Sequence, residues 1–147
     1  MNEVVELATV ADTRAYGARL AAALRAGDLV VLSGPLGAGK TALVQGIGLG
    51  LGVLGRVTSP TFVLARVHRG PLPLVHVDAY RLRSSATPSL ELDDLDLDAD
   101  LPSSVTVVEW GEGLVEGLSE DRLEISLSRH DDDRRTAVVR GVGDRWS

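Results

Sequence analysis

Residues 34–41 read Gly34-Pro-Leu-Gly-Ala-Gly39-Lys40-Thr41 and fit the phosphate-binding loop pattern G-x-x-x-x-G-K-[ST]. A short apolar run, LVVL at residues 29–32, precedes this stretch and is typical of a buried strand. The residues that follow it, ALVQ at 42–45, allow a helix to start. The pattern binds phosphate in this order of strand, glycine-rich loop and helix, so we expect a P-loop NTPase-like domain.

The residue types of this loop suit a nucleoside triphosphate. Its glycines let the backbone turn tightly and bring N–H groups against phosphate oxygens, and the start of the next helix adds a positive dipole end. Lys40 would reach the β- and γ-phosphates, and the Thr41 hydroxyl would ligate Mg²⁺. Lys40 is the only lysine among the 15 basic residues, and a compact ammonium suits this position better than a guanidinium. We therefore expect ATP and Mg²⁺ as cofactors.

Composition narrows the class of protein. A chain of 147 residues that is 44% hydrophobic favours one domain, residues 1–147. The absence of cysteine excludes disulfides, cysteine-based zinc sites and a thiol nucleophile. A net charge of −6 disfavours direct nucleic-acid binding, so another chain would hold any RNA. The N-terminus lacks signal-peptide features and no apolar run is long enough to span a membrane, so we expect a cytoplasmic protein.

The remaining patterns predict an α/β domain with a mixed sheet, an antiparallel hairpin and helices on both faces. Thr9 and Asp12 fit a helix-start signal for a helix over residues 11–25, with Gly27 as its stop. A second helix should span about residues 40–51. Apolar and alternating runs predict strands at residues 3–7, 29–32, 62–67, 74–78, 105–109, 123–128 and 135–140.

The second helix contains Gly46, Gly48 and Gly50, and each glycine costs roughly 1 kcal/mol relative to alanine. We expect these glycines to allow close packing of the helix on the sheet. A helix that frays or shifts with the state of the nucleotide is the alternative.

Two predicted strands end in a carboxylate: Asp78 closes residues 74–78 and Glu109 closes residues 105–109. Ligands bind at the carboxyl ends of strands in open α/β sheets. One acid could orient the Mg²⁺ shell while the other polarises the attacking water, and the sequence does not divide these roles. Trp110 is either a core residue or a cover for the nucleotide. His76 lies inside a strand and lacks metal-ligand spacing to another histidine.

Four motifs occur in order along the chain: GPLGAGKT from Gly34, SPTF from Ser59, HVDAYRL from His76 and VEWGE from Val108. This set resembles the TsaE (YjeE) family, the small P-loop ATPases of bacterial tRNA threonylcarbamoyladenosine biosynthesis, over nearly the whole chain. The resemblance implies an ATPase that works with TsaB- and TsaD-type partners and supports turnover of their complex. The TsaD-type partner transfers the threonylcarbamoyl group to adenosine 37, so contact with tRNA would be indirect.

The resemblance also assigns residues to roles. Lys40, Asp78 and Glu109 would be catalytic, and Thr41, Glu109 and Asp78 would hold Mg²⁺. The switch-like loop would comprise Ser59, Pro60 and Thr61. The implied nucleotide-binding residues are Thr9, Val10, Gly34, Pro35, Leu36, Gly37, Ala38, Gly39, Lys40, Thr41, Ala42, Trp110 and Arg134. Many relatives have Asp where Pro35 stands and a second Thr where Ala42 stands.

The same residues leave two other functions of a phosphate-binding loop open. A small-molecule kinase needs a cationic lid, for which Arg81 and Arg83 are the nearby residues, and no lid-length insertion is evident. A nucleotide-controlled switch that does not hydrolyse is the other alternative. A GTPase is disfavoured because its NKxD motif needs an asparagine and the sole one is Asn2. Little in this short chain could close over the γ-phosphate, so we expect an ATPase that is weak alone and depends on its partners.

Overall fold

The computed structural model describes residues 2–35, 38–53, 65–78, 101–109, 121–132 and 134–146. These residues form one seven-stranded sheet and two α-helices. The strands are β1 (Asn2–Leu7), β2 (Leu29–Ser33), β3 (Ala65–His68), β4 (Leu74–Asp78), β5 (Val105–Glu109), β6 (Arg122–Arg129) and β7 (Arg135–Val142). The helices are α1 (Val10–Ala21) and α2 (Lys40–Leu51).

The strands follow the order β1-β7-β6-β2-β5-β4-β3 across the sheet. β2 lies between β5 and β6 and is parallel to both, and β4 is parallel to β5. β1, β7 and β6 pair antiparallel at one side, and the β3–β4 hairpin closes the other. The predicted mixed α/β sheet with an antiparallel hairpin is therefore confirmed. Residues 62–64 of the predicted strand before β4 lie outside the described residues.

The start of α1 is confirmed, and its predicted end is wrong. Thr9 Oγ1 accepts the Asp12 N–H at 3.1 Å, and the Asp12 carboxylate accepts the Thr9 N–H at 3.1 Å, which is a complete capping box. The α-helix nevertheless ends at Ala21 and not near Gly27, because residues 22–24 bond to carbonyls three residues back. The Asp28 carboxylate then accepts the Arg25 N–H at 2.8 Å and fixes the turn into β2.

Two of the three glycines of α2, Gly46 and Gly50, pack against α1, and not against the sheet as predicted. A Cβ on Gly46 would lie 2.8 Å from the carbonyl carbon of Arg14, and one on Gly50 would lie 2.5 Å from Ala21 Cβ. Gly17 on α1 meets the α2 backbone in the same way, 2.9 Å from the Ile47 nitrogen. Close packing is thus the reason for these glycines, and the partner is the other helix. Fraying with nucleotide state stays a prediction.

One face of the central strands forms the main core with both helices, and contributes Val30, Leu32 and Val107 to it. The opposite face of these strands is also buried, with Val31 and Val108 at most 3% exposed, as expected for parallel strands. The sequence predicted helices on both faces; both described α-helices lie on the face of the main core, and the part of the prediction that concerns the second face falls outside the described residues. No helix within the described ranges is both long and apolar enough to cross a membrane.

Candidate functional site

The sheet brings three strand ends to one edge. Leu32 on β2 is level with Glu109 on β5, and Glu109 is level with Asp78 on β4. The glycine-rich loop begins directly after β2 at Gly34, so it leaves the sheet beside Glu109. Asp78 lies one strand further away. The predicted meeting of the loop and the two acids at one sheet edge is therefore what the topology produces.

The described glycines of the loop occupy backbone conformations that favour glycine. Gly34 has a φ of +146°, and a Cβ there would lie 2.5 Å from the Leu127 carbonyl oxygen of β6. Gly39 has a φ of +98° and precedes α2 as its N-cap without a capping side chain. The first N–H groups of α2 therefore receive neither a side-chain acceptor from Gly39 nor an acceptor within the helix, and such groups favour an anion. Leu36 and Gly37 lie outside the described residues.

Lys40 is folded into this loop. It is 6% exposed, and its Nζ donates to the carbonyl oxygens of Gly34 at 2.5 Å and Pro35 at 3.1 Å. The ammonium thus lies in the concave side of the loop, where phosphate oxygens could replace carbonyl acceptors. Thr41 and Ala42 follow in the first turn of α2.

Glu109 is buried and hydrogen-bonded to His76. The two side chains are 5% and 0% exposed, and His76 Nε2 lies 2.5 Å from Glu109 Oε2. Sequence reasoning gave His76 no role, because it looked only for metal-ligand spacing. The missed signal is the alternation of a strand: His76 and Asp78 share one face of β4, and Asp78 is level with Glu109 on β5.

Asp78 is half-buried at the end of β4 and has polar or electrostatic interactions of its own. Within the described ranges, no three acidic or histidine side chains converge as a metal cage. A protein cage is not what Mg²⁺ with a nucleotide requires, because one or two carboxylates plus substrate phosphates usually hold it. The hydroxyl of Thr41 and the carboxylates of Glu109 and Asp78 are hard oxygen donors of that kind.

The first turn of α1 lies beside the loop. A Cβ on Gly39 would lie 3.8 Å from Thr13 Cγ2, and Thr13 Oγ1 donates to the Thr9 carbonyl oxygen at 3.3 Å. Val10, the first residue of α1, is 40% exposed. The structure therefore places the region of Thr9 and Val10 near the loop, and their contact with a nucleotide stays a prediction.

An arginine other than the one predicted lies against the loop. A Cβ on Gly39 would lie 3.1 Å from Arg135 Cδ, so the Arg135 side chain packs over the start of α2. Arg134 is half-exposed and pairs with Asp132 at 2.7 Å and with Glu6 at 3.8 Å. The family resemblance assigned Arg134 and not Arg135, and the contact of Arg134 with a nucleotide stays a prediction.

The other predicted site residues lie outside the described part of the chain. They are the switch-like loop Ser59, Pro60 and Thr61, and Trp110. Arg81 and Arg83, weighed as a cationic lid, fall outside it as well. Their roles stay predictions.

The chain is similar to known proteins of one family over most of its length. The family described as threonylcarbamoyl adenosine biosynthesis protein TsaE matches residues 7–137. The chain is 58% identical to the tRNA threonylcarbamoyladenosine biosynthesis protein TsaE of Streptomyces coelicolor, over 91% of this chain and 93% of that protein. It is 38% identical to the protein of the same name from Bacillus subtilis, over 92% of this chain and 83% of that one.

A solved structure is similar over nearly the whole chain. The crystal structure of Bacillus subtilis YdiB superposes with a TM-score of 0.75 at 31% identity, and the match covers 99% of this chain and 90% of that one. The likeness thus extends over the sheet, both helices and the loop at the strand ends. From the family match and these relatives, the chain belongs to the TsaE family.

Proposed function

We propose that this chain binds and hydrolyses ATP as a subunit of the machinery that makes threonylcarbamoyladenosine in tRNA. The observation that carries the proposal is the buried Lys40 ammonium inside a glycine-rich loop that leaves the sheet beside Glu109. Membership of a family named for this biosynthesis supplies the pathway.

The loop would bind the phosphates through backbone and cationic groups. The uncapped first turn of α2 offers N–H donors and a positive dipole end. Lys40 already lies among loop oxygens, so phosphate oxygens could take over as its acceptors. Arg135 packs at the same turn and adds a second positive charge there. Charge-assisted hydrogen bonds of this kind are about twice as strong as neutral ones.

The acids at the strand ends would serve the hydrolytic step. Magnesium bound with the nucleotide would be held by the Thr41 hydroxyl with Glu109 or Asp78, and would supply charge neutralisation at the phosphates. Glu109 is the acid next to the phosphate-loop strand and is almost fully buried. A carboxylate in that position can accept a proton from, or orient, an attacking water.

Partners are expected to complete the site. We propose that TsaB- and TsaD-type proteins bind this chain, that tRNA contacts it only through them, and that it works in the cytoplasm with them. A net charge of −6 supports the indirect contact with RNA, because RNA binding needs clustered positive charge. The isolated chain should then hydrolyse ATP slowly.

The deciding experiment measures tRNA threonylcarbamoylation over many turnovers by the partner proteins. This chain is added as wild type, Lys40→Ala, Glu109→Gln or, as a control away from the loop, Arg140→Ala on β7. Sustained turnover with the wild type and Arg140→Ala, and its loss with Lys40→Ala, would support the proposal. Equal turnover with Lys40→Ala would refute it.

Glu109→Gln separates hydrolysis from switching. If this variant binds ATP, fails to hydrolyse it and fails to sustain turnover, hydrolysis is required. If it sustains turnover at the wild-type rate without hydrolysis, the chain is a nucleotide-controlled switch and the ATPase part of the proposal is wrong.

A further inference from the structure

The pair formed by His76 and Glu109 is built deeply into the sheet. His76 is 0% exposed and Glu109 is 4% exposed. Their side chains bridge two neighbouring parallel strands, because His76 is level with Val107 and Glu109 lies two residues further along β5. The contact between Nε2 and Oε2 at 2.5 Å is therefore diagonal across the two strands. Of the two residues, Glu109 lies nearer the edge where the phosphate loop leaves the sheet.

Burial makes this contact consequential. A buried carboxylate needs hydrogen-bond donors, since a buried polar group without them costs free energy. His76 supplies one through Nε2. Its Nδ1 is buried and has no hydrogen-bond partner among the described residues. The tautomer with the proton on Nε2 is thus the one that donates to Glu109 without burying an unpaired N–H.

We infer that His76 is a positioning residue for Glu109. It holds Oε2 by a hydrogen bond. The second oxygen, Oε1, is then the one that acts on the attacking water at the strand-end edge. The inference rests on the proposed function, in which Glu109 acts at the γ-phosphate.

A glutamate benefits from such a restraint. Its side chain has three rotatable bonds, and ordering a long side chain of this type costs conformational entropy. A hydrogen bond that fixes the carboxylate before the nucleotide binds removes this cost from the reactive step. It also orients the negative charge towards the position of the reacting groups. Substitution of residues that hydrogen-bond to metal-binding side chains and orient them typically lowers metal affinity or activity about 10–100-fold.

His68 provides a matched control on the same face of the sheet. It is a histidine of similar burial, 5% exposed, and lies on β3 level with Leu74 at the far end of β4 from Asp78. Substitution of either histidine by leucine removes a buried ring from this face. Of the two histidines, His76 is the one hydrogen-bonded to Glu109.

The experiment compares His76→Leu, His76→Gln and His68→Leu. Each is assayed for kcat and KM of ATP hydrolysis in the complex with the partner proteins, and for the dissociation constant of a non-hydrolysable ATP analogue. His76→Leu should lower kcat about 10–100-fold and leave the dissociation constant unchanged. His76→Gln keeps an N–H donor at the end of the side chain, so it should restore most of the lost rate. His68→Leu should keep the wild-type kcat.

A second readout does not depend on activity. The ring nitrogens of the three histidines are observed by NMR in the wild type and in Glu109→Gln. The wild-type His76 ring should show a proton on Nε2, and its Nε2 signal should shift in Glu109→Gln far more than any signal of His68. Equal shifts at both rings would show that His76 does not contact Glu109 specifically, and would overturn the inference.

The kinetic outcomes separate the inference from the function on which it rests. If the wild type hydrolyses ATP and His76→Leu is as fast, the positioning role is wrong and the proposed function stands. If His76→Leu and His68→Leu lower kcat and weaken nucleotide binding alike, or His76→Gln is as slow as His76→Leu, His76 only stabilises the sheet. If the wild type hydrolyses no ATP with its partners, the proposed function is wrong and the positioning role falls with it.

Discussion

Replacement of Gly46 by alanine would place a methyl group against the backbone of α1. A Cβ at this position lies 2.8 Å from the carbonyl carbon of Arg14, 2.9 Å from its Cα, and closer still to its oxygen. Carbon atoms pack best at about 3.5–4.0 Å. The helices would have to separate by roughly 0.7 Å or more, and the obstacle is main chain, which cannot rotate away.

Two effects of opposite sign decide the outcome. Alanine in place of glycine inside a helix gains about 1 kcal/mol. Overpacking of a tight interface typically costs about 1–3 kcal/mol, and occasionally more. Because backbone meets backbone here, we expect a cost at the top of that range, about 3 kcal/mol, and so a net loss of about 2 kcal/mol. In a domain of this size such a loss lowers Tm by about 4–8 °C.

Thermal and urea unfolding followed by circular dichroism would measure this loss. Leu49→Ala is the control on the same helix, since Leu49 is 72% exposed and exposed positions usually change stability by no more than about 0.5 kcal/mol. In Gly50→Ala the nearest atom is Ala21 Cβ at 2.5 Å. Addition of Ala21→Gly should therefore cost less in that background than in the wild type. A Tm for Gly46→Ala equal to or above the wild-type value would show that helix propensity outweighs the contact, and would refute this account.

Three further predictions concern other parts of the chain. Arg145→Ala should lower the free energy of urea unfolding by about 1–3 kcal/mol, because Arg145 donates to the buried Asp28 carboxylate at 3.1 Å. An unchanged free energy of unfolding would show that this contact does not stabilise the fold. Burial lowers the pKa of His68 below 6.5, and the neighbouring His76 and Arg66 lower it further. As the pH falls, the unfolded chain therefore binds a proton on His68 at a higher pH than the folded chain does. The stability contributed by neutral His68 is complete above pH 6.5 and declines as the pH falls. His68→Leu should flatten this decline in unfolding curves measured between pH 5 and 8, about the range in which histidine titrates. Arg135→Ala should weaken binding of an ATP analogue about tenfold or more by calorimetry while Arg134→Ala leaves it unchanged, and the reverse order would assign the nucleotide contact to Arg134.

Much of the fold could be predicted because its signals are local. The capping box needs only Thr9 and Asp12, and the apolar runs of β2, β4 and β5 stand out from their surroundings. The meeting of Asp78 and Glu109 with the phosphate loop follows from a topological rule, since parallel strands end at the same edge. These features required no knowledge of which strands are neighbours.

The features that were missed depend on spatial neighbours. The segment between α1 and β2 is held by Asp28, which accepts the Arg25 N–H and comes after the predicted stop. The α2 glycines contact α1, and no periodicity distinguishes a helix partner from a sheet partner. The pairing of His76 with Glu109 needs β4 beside β5 in one particular register.

The arginine beside the loop shows the same limit at single-residue resolution. Successive residues of a strand face opposite sides, so a shift of one position exchanges Arg134 for Arg135 at the start of α2. The turn at residues 131–132 fixes this phase, and the His130 N–H donates to the Arg134 carbonyl oxygen at 2.8 Å. The family resemblance indicated this segment of the chain, and the register of the strand determines which arginine lies against the loop.

The pairing of β1 with β7 has a consequence for how the chain folds. β1 lies at one edge of the sheet and pairs with β7, the described strand farthest from it along the chain; Val4 pairs with Val138. Such distant pairing slows folding, because a long loop must close before the contact stabilises the chain. During synthesis on the ribosome, β1 cannot pair until β7 has been made, and its unpaired backbone groups can meanwhile pair with other strands. Among the described strands, β1 is thus synthesised before the others and completes its pairing after them.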